Sequence, residues 1–220
     1  MTGKTVLIAG SSGGLGQALA NRFSAGGYHV VSVSRRGQGH THADLSDAQA
    51  THALFDSLDP DKPLAGVIHN AMQFHREAFL DTSAQTFEDV WRSMTLTAVN
   101  VAHQAIPRLK AQGGGCLIFS GASGSLRAGP QFSAFSSAKF ALRGLTQALA
   151  REHSADGIHV VHTVLDGLIW SDKTQQRFKS AQQHSSMVPA DLAEVYWQLF
   201  HQPSNAWTHE LDLRPMSSQV

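Results

Sequence analysis

The stretch TVLIAGSSGGLGQALANRFSAGG, Thr5–Gly27, decides the fold. TVLIAG is an apolar, β-branched run that ends in glycine and reads as a strand buried on both faces. GLGQALANRFSAGG reads as a helix closed by glycines. Between them Gly10, Gly14 and Gly16 fall in a tight strand-to-helix turn. Glycine lets the backbone turn sharply and approach a ligand closely. The helix start then offers free N–H groups and a partial positive charge, which suits a pyrophosphate. Such a turn also serves purely structural ends, so the rest of the chain has to choose.

Working outward, short β-rich runs alternate with longer helical ones. YHVVSVS is a second strand, and HADL a short third. SDAQATHALFDSL opens on a cap, Ser46 or Asp47, and spaces Ala50, Ala53, Leu54 and Leu58 for one helix face. AGVIHNA, GGCLIFSGA and GIHVVHTVLDG read as strands, and THELDL as a last one. TFEDVWRSMTLTAVNVAHQAIPRLKAQ, SAFSSAKFALRGLTQALAREH and ADLAEVYWQLF read as helices, the second with Phe140, Leu142, Leu145 and Leu149 near one side. Strict alternation with short connections predicts one doubly wound α/β domain over residues 1–220, a Rossmann-type parallel sheet with helices on both faces. Ligands in such folds lie beyond the carboxyl ends of the strands.

Composition agrees. Hydrophobic residues make up 42% of the 220 and charged residues 15%, the balance of an ordinary globular chain. Lys+Arg and Asp+Glu are both 17, which gives no electrostatic reason to expect a nucleic acid or an anionic membrane as partner. Cys116 is the only cysteine, so an intrachain disulfide is impossible. No apolar run reaches the length of a membrane span. The first apolar run leads into a glycine turn and not into a leader's cleavage site. A cytoplasmic protein is expected.

The second strand ends VSVSRRGQ. A site for NAD usually has an acid here for the ribose 2′-hydroxyl, whereas Ser34, Arg35 and Arg36 suit a 2′-phosphate. NADP is therefore expected over NAD, with a solvated basic loop as the plain alternative. The 13 histidines include His159 and His162, which a strand sends to opposite faces, and no carboxylate or cysteine cluster joins any of them. No metal is expected. His75 follows the HNA strand end, close to where a substrate would sit, and is an outside candidate for a proton donor.

Five motifs, in order and at the right spacing, make the chain resemble the short-chain dehydrogenase/reductase family over nearly its whole length. They are the glycine turn, HADL, HNA, AFSSAKFAL and LDGLIWS. The resemblance implies an NAD(P)-dependent oxidoreductase of a carbonyl or alcohol substrate, working as a homodimer or homotetramer paired through its long helices. It assigns the nucleotide to Gly10, Ser12, Gly14, Leu15 and Gly16, to Ser34, Arg35 and Arg36, and to Asp44 and Leu45. Asn70 and Ala71, Lys139, Gly167, Ile169 and Ser171 complete that set. Ala9 stands where the family usually has threonine, and Asp166 where it has proline. The stretch from Arg36 to Asp44 is too short for the helix usually found there.

The departures at the chemistry are larger. Lys139 matches the family's active-site lysine, but the tyrosine position four residues earlier is Phe135. Counting back without a gap puts the serine position at Ala122, with Ser123 adjacent, and the helix before Pro107 puts Thr95 at the asparagine position, with one residue fewer than usual before the proline. Lys139 keeps a reading as a ribose ligand, and Ser123 is a replacement donor or an ordinary loop serine. Two functions follow from the resemblance: an NADP(H)-dependent oxidoreductase with an altered acid–base apparatus, or a non-catalytic nucleotide-binding sensor or partner subunit. SDKTQQRFKSAQQHSSMVP, polar and weakly periodic, is expected to be a substrate lid.

Overall fold

The computed structural model describes residues 3–35, 41–179 and 182–216. Seven parallel strands, β1 (Thr5–Ala9), β2 (His29–Ser34), β3 (Thr41–His42), β4 (Leu64–His69), β5 (Gly115–Ser120), β6 (Ile158–Leu165) and β7 (Glu210–Leu213), lie in the order 3-2-1-4-5-6-7. The helices are α1 (Gly14–Ala25), α2 (Ala48–Asp56), α3 (Ala84–Trp91), α4 (Thr97–Lys110), α5 (Ser133–His153), α6 (Asp172–Arg177) and α7 (Pro189–Phe200).

Two apolar layers hold the sheet. Leu19 and Phe23 of α1 and Leu192, Tyr196 and Leu199 of α7 pack over Val6, Ile8, Ile68, Ile118 and Val161. On the other face Leu54 and Phe55 of α2, Val101, Ala105 and Leu109 of α4 and Leu142 of α5 cover Leu7, Val67, Leu117 and Val160. The alternation of faces along each strand follows from its two-residue period. Strand order reverses between β1 and β4, so the chain leaves the sheet in opposite directions there and opens a crevice above Gly10 and Asn70.

Three expectations change in detail. The predicted single helix from Thr86 onward is two helices, α3 and α4, joined by a widened π turn at Arg92–Leu96. Such turns insert an extra residue without breaking the helix axis. The lid segment carries a helix: Ser171 caps α6 by accepting from the Thr174 amide, and a single 3₁₀ turn spans Gln183–Ser185. Phe140 is 43% exposed and stands outside the core stripe of α5, which Leu142 anchors.

Candidate active site

The carboxyl ends of β1, β4, β5 and β6 and the first turns of α1 and α5 enclose a cleft of about 1290 Å³. One half of it follows from the glycines. Gly10 has φ +85°, and a Cβ there would lie 2.7 Å from the Ala71 amide nitrogen, so the β1 and β4 ends can meet only without a side chain. A Cβ on Gly16 would lie 2.4 Å from the Gly10 carbonyl oxygen, so this glycine serves the close packing of α1 on the turn, and it does not line the cleft. Gly13 precedes α1 with no side chain capping the helix, which leaves its first amides facing the cleft.

Asn70 locks the turn to the sheet: its side chain donates to the Gly10 carbonyl at 3.2 Å and its backbone N–H to Ala9 at 2.8 Å. Ser12, Leu15, Ser34, Arg35, Asp44, Leu45 and Ala71 line the same half, with Gly14 beside Ser171. Arg36 lies outside the described residues. Ser46, through its amide and its hydroxyl, donates to Asp44 and lowers that carboxyl's pKa. Ser34 is 8% exposed and lines the cleft, and its buried hydroxyl has no hydrogen-bond partner among the described residues. A buried hydroxyl beside a guanidinium, next to uncapped helix amides, fits the phosphate and ribose groups of a nicotinamide dinucleotide.

Lys139 stands in the floor of the other half. It is 2% exposed, and its Nζ donates to the Ser120 carbonyl at 2.8 Å. Burial lowers its pKa from 10.5 to about 8. Below it two histidines flank Phe119 in register across β4, β5 and β6. His69 shares a 2.8 Å hydrogen bond with the Thr97 hydroxyl, and His162 one of 2.9 Å with Glu210, itself held by Arg143 at 2.7 and 2.8 Å. Burial, with the Lys139 charge second for His69, brings the two rings down to about 3 and about 4. Both rings are therefore neutral neighbours of the lysine.

Phe135 is 9% exposed and packs with Val90, Met94, Ala134 and Ala138, one ring edge against Gly124. It is at once a core aromatic and part of the cleft wall. Ala122 and Ser123 both line the cleft; the Ala122 amide donates to Ser125 at 3.2 Å. Thr95 does not line it. Its hydroxyl donates to the Ala138 carbonyl at 2.9 Å, while its neighbours along the helix, Ser93 and Thr97, face the cleft, because the π turn rotates this stretch. His75 does not line it either, and sits 3.3 Å from Glu77. Gly167 and Ile169 do.

Two features were missed in the sequence. Ser136 beside Phe135 is 2% exposed and lines the cleft, its hydroxyl unpaired among the described residues; a serine inside a helix gives no local sign of this. Asp166 uses what a proline lacks. Its N–H donates to Leu213 of β7 at 2.8 Å, and its carboxylate takes Arg127 at 2.7 Å and Arg214 at 3.6 Å.

A glycine-cradled crevice at the switch point of a parallel sheet, with a buried lysine on its floor, defines a dinucleotide-binding α/β protein. Residues 4–182 match the short chain dehydrogenase family, and the chain belongs to it. It is 28% identical over 196 residues to the 3-oxoacyl-(acyl-carrier-protein) reductase MabA of Mycobacterium bovis, across 85% of this chain and 78% of that protein. It superposes on a short-chain dehydrogenase from Rhodopseudomonas palustris with a TM-score of 0.84 at 28% identity, over 98% of this chain and 100% of the other. A tyrosine-to-phenylalanine variant of ElxO with NADPH bound shares the fold, at a TM-score of 0.87 and 19% identity over 96% and 97% of the two chains. Among the described residues no helix is long and apolar enough to cross a membrane, and no three metal-ligating side chains gather.

Proposed function

We propose that the chain is an NADP(H)-dependent oxidoreductase of a carbonyl or alcohol substrate whose tyrosine and serine positions are filled by Phe135 and Ala122. The observation that carries it is Lys139: buried in the cleft floor, one donor spent on Ser120 and no other protein acceptor among the described residues. An ammonium with unspent donors in a nucleotide cleft suits ribose hydroxyls. Ser34 and Arg35 support the 2′-phosphate form. The ElxO variant illustrates that a relative with phenylalanine in place of a tyrosine holds NADPH.

NADPH when bound supplies the hydride. The chain's own residues do the rest. Uncapped amides of α1 and Arg35 bind the phosphates, and Lys139 orients the ribose. Ser123 and Ser136, which both line the cleft, would hold the substrate oxygen and relay it a proton, each hydroxyl taking one back from solvent water. A hydroxyl is a weaker acid than a phenol near a lysine, so slow turnover follows.

Phe135 and Ala122 together also favour a second reading, a nucleotide-binding sensor or partner subunit without chemistry. Titration of NADPH and NADH, followed by a carbonyl panel read as NADPH oxidation, separates the two. Nucleotide binding with no oxidation across the panel selects the second; absence of binding removes both. The assembly that fits is a homodimer or homotetramer of the cytoplasm, with exposed Trp91 on α3 and Phe140 on α5 as apolar contacts.

A further inference from the structure

The β5–β6 side of the cleft has a character of its own. Phe74, from the loop after β4, meets three other rings edge-on or tilted: Phe132 at 5.8 Å, Phe135 at 5.9 Å and Phe178 at 5.9 Å. Phe132 and Phe135 meet at 6.3 Å. All four line the cleft, from three separate segments of the chain. Rings so arranged make an apolar wall of alternating ring edges and faces, against which another ring can pack edge-to-face.

Charge on the cleft lining is one-sided. Among the described residues its ionisable side chains are Arg35, Arg127, Lys139 and Arg177 against Asp44 and Asp166, an excess of two cations in a chain whose formal balance is zero. Asp166 is already held by Arg127 and Arg214. Glu77, the one acid of residues 70–79, lies against His75. Arg177 has no carboxylate partner among the described residues, and its guanidinium sits 4.8 Å above the Phe74 ring. A guanidinium resting on an aromatic face is oriented and weakly hydrated, and its planar fork matches an oxyanion.

We infer that this side of the cleft takes a carbonyl substrate built on a flat apolar ring with an anionic group, the ring against the Phe74, Phe132 and Phe178 wall and the anion on Arg177. The inference deepens the oxidoreductase reading and rests on it for the word substrate; the binding site itself does not depend on turnover. An aromatic aldehyde acid is one such compound, and a carboxylate and a sulfonate present the same chemistry to Arg177.

The test is calorimetric titration of the protein, with and without saturating NADP, using 4-carboxybenzaldehyde, 4-formylbenzenesulfonate and the methyl ester of the first. Both anions should bind about tenfold tighter than the ester at low salt, the size of one charge-assisted contact. Arg177→Gln should erase that difference while NADPH affinity stays as in the wild type. Phe178→Ala should weaken acid and ester alike. If only one anion gains, its geometry names the group. Equal binding of acid and ester, or a difference that survives Arg177→Gln, overturns the inference. Tight anion binding with no NADPH oxidation leaves the site standing and removes the oxidoreductase reading instead.

Discussion

The ammonium of Lys139 lies 6.0 Å from the centre of the Phe135 ring, one helical turn away on the same face of α5. At that separation the lysine would depress the pKa of a phenol carried by the same ring. Phe135→Tyr should therefore raise NADPH oxidation over the wild type, and the pair Phe135→Tyr with Ala122→Ser more than the sum of the singles, since one group holds the oxygen and the other protonates it. A positioned acid contributes about 10²–10⁴-fold, so the double variant should gain at least about tenfold. A fast wild type slowed by the tyrosine would mean that Ser123 or Ser136 already suffices.

Lys139 lowers the stability of the nucleotide-free fold. Its pKa in the folded state, about 8, lies below the 10.5 of an exposed lysine. The unfolded chain thus binds more protons between those values, and the penalty, full below pH 8, is relieved as pH rises towards 10.5. Lys139→Met should raise the urea midpoint at pH 7, with the gain shrinking by pH 10, and should weaken NADPH binding without substrate. Unchanged nucleotide affinity would show that the lysine does not touch the ribose.

Arg35 carries the choice of nucleotide. Arg35→Ala should cost NADPH about 1.5–3 kcal/mol of binding and leave NADH nearly unaltered. Equal losses for both, measured by titration, would place the 2′-phosphate elsewhere.

Acid should unfold the protein through its two buried rings. His69 and His162 stay neutral in the fold, down to about 3 and about 4, whereas an exposed imidazole takes its proton near 6.5. The unfolded chain binds protons first, so stability falls as pH drops from 6.5 towards 4. Urea midpoints from pH 7.5 to 4.5 should decline with an uptake of up to about two protons on unfolding. His162→Gln should flatten part of that slope, and a level midpoint would show that the rings ionise in place.

The alternation of strands and helices was legible because it rests on local patterns: TVLIAG, GCLIFS and IHVVHTVL can only be buried strands, and Ser133–His153 is a helix of the predicted extent. The glycine turn and the strand ends that line the cleft were legible for the same reason, since glycines and strand ends mark themselves. What was not legible depends on distant partners. Thr95 is turned from the cleft by a π turn that no local signal announces. The grouping of Phe74, Phe132, Phe135 and Phe178 needs three distant segments of the chain brought together. Asp166 reads as a lost proline until Leu213 and Arg214 arrive from the far end of the chain.

That last contact ties the cleft to the far end of the chain. Gly167, Ile169 and Ser171 belong to the cleft, yet the turn before them is fastened by the Asp166 amide to β7, more than forty positions later. A chain cut before Leu213 would hold an aspartate amide without that acceptor and a cleft with one loose wall, so the last strand belongs to the site as much as the glycine turn does.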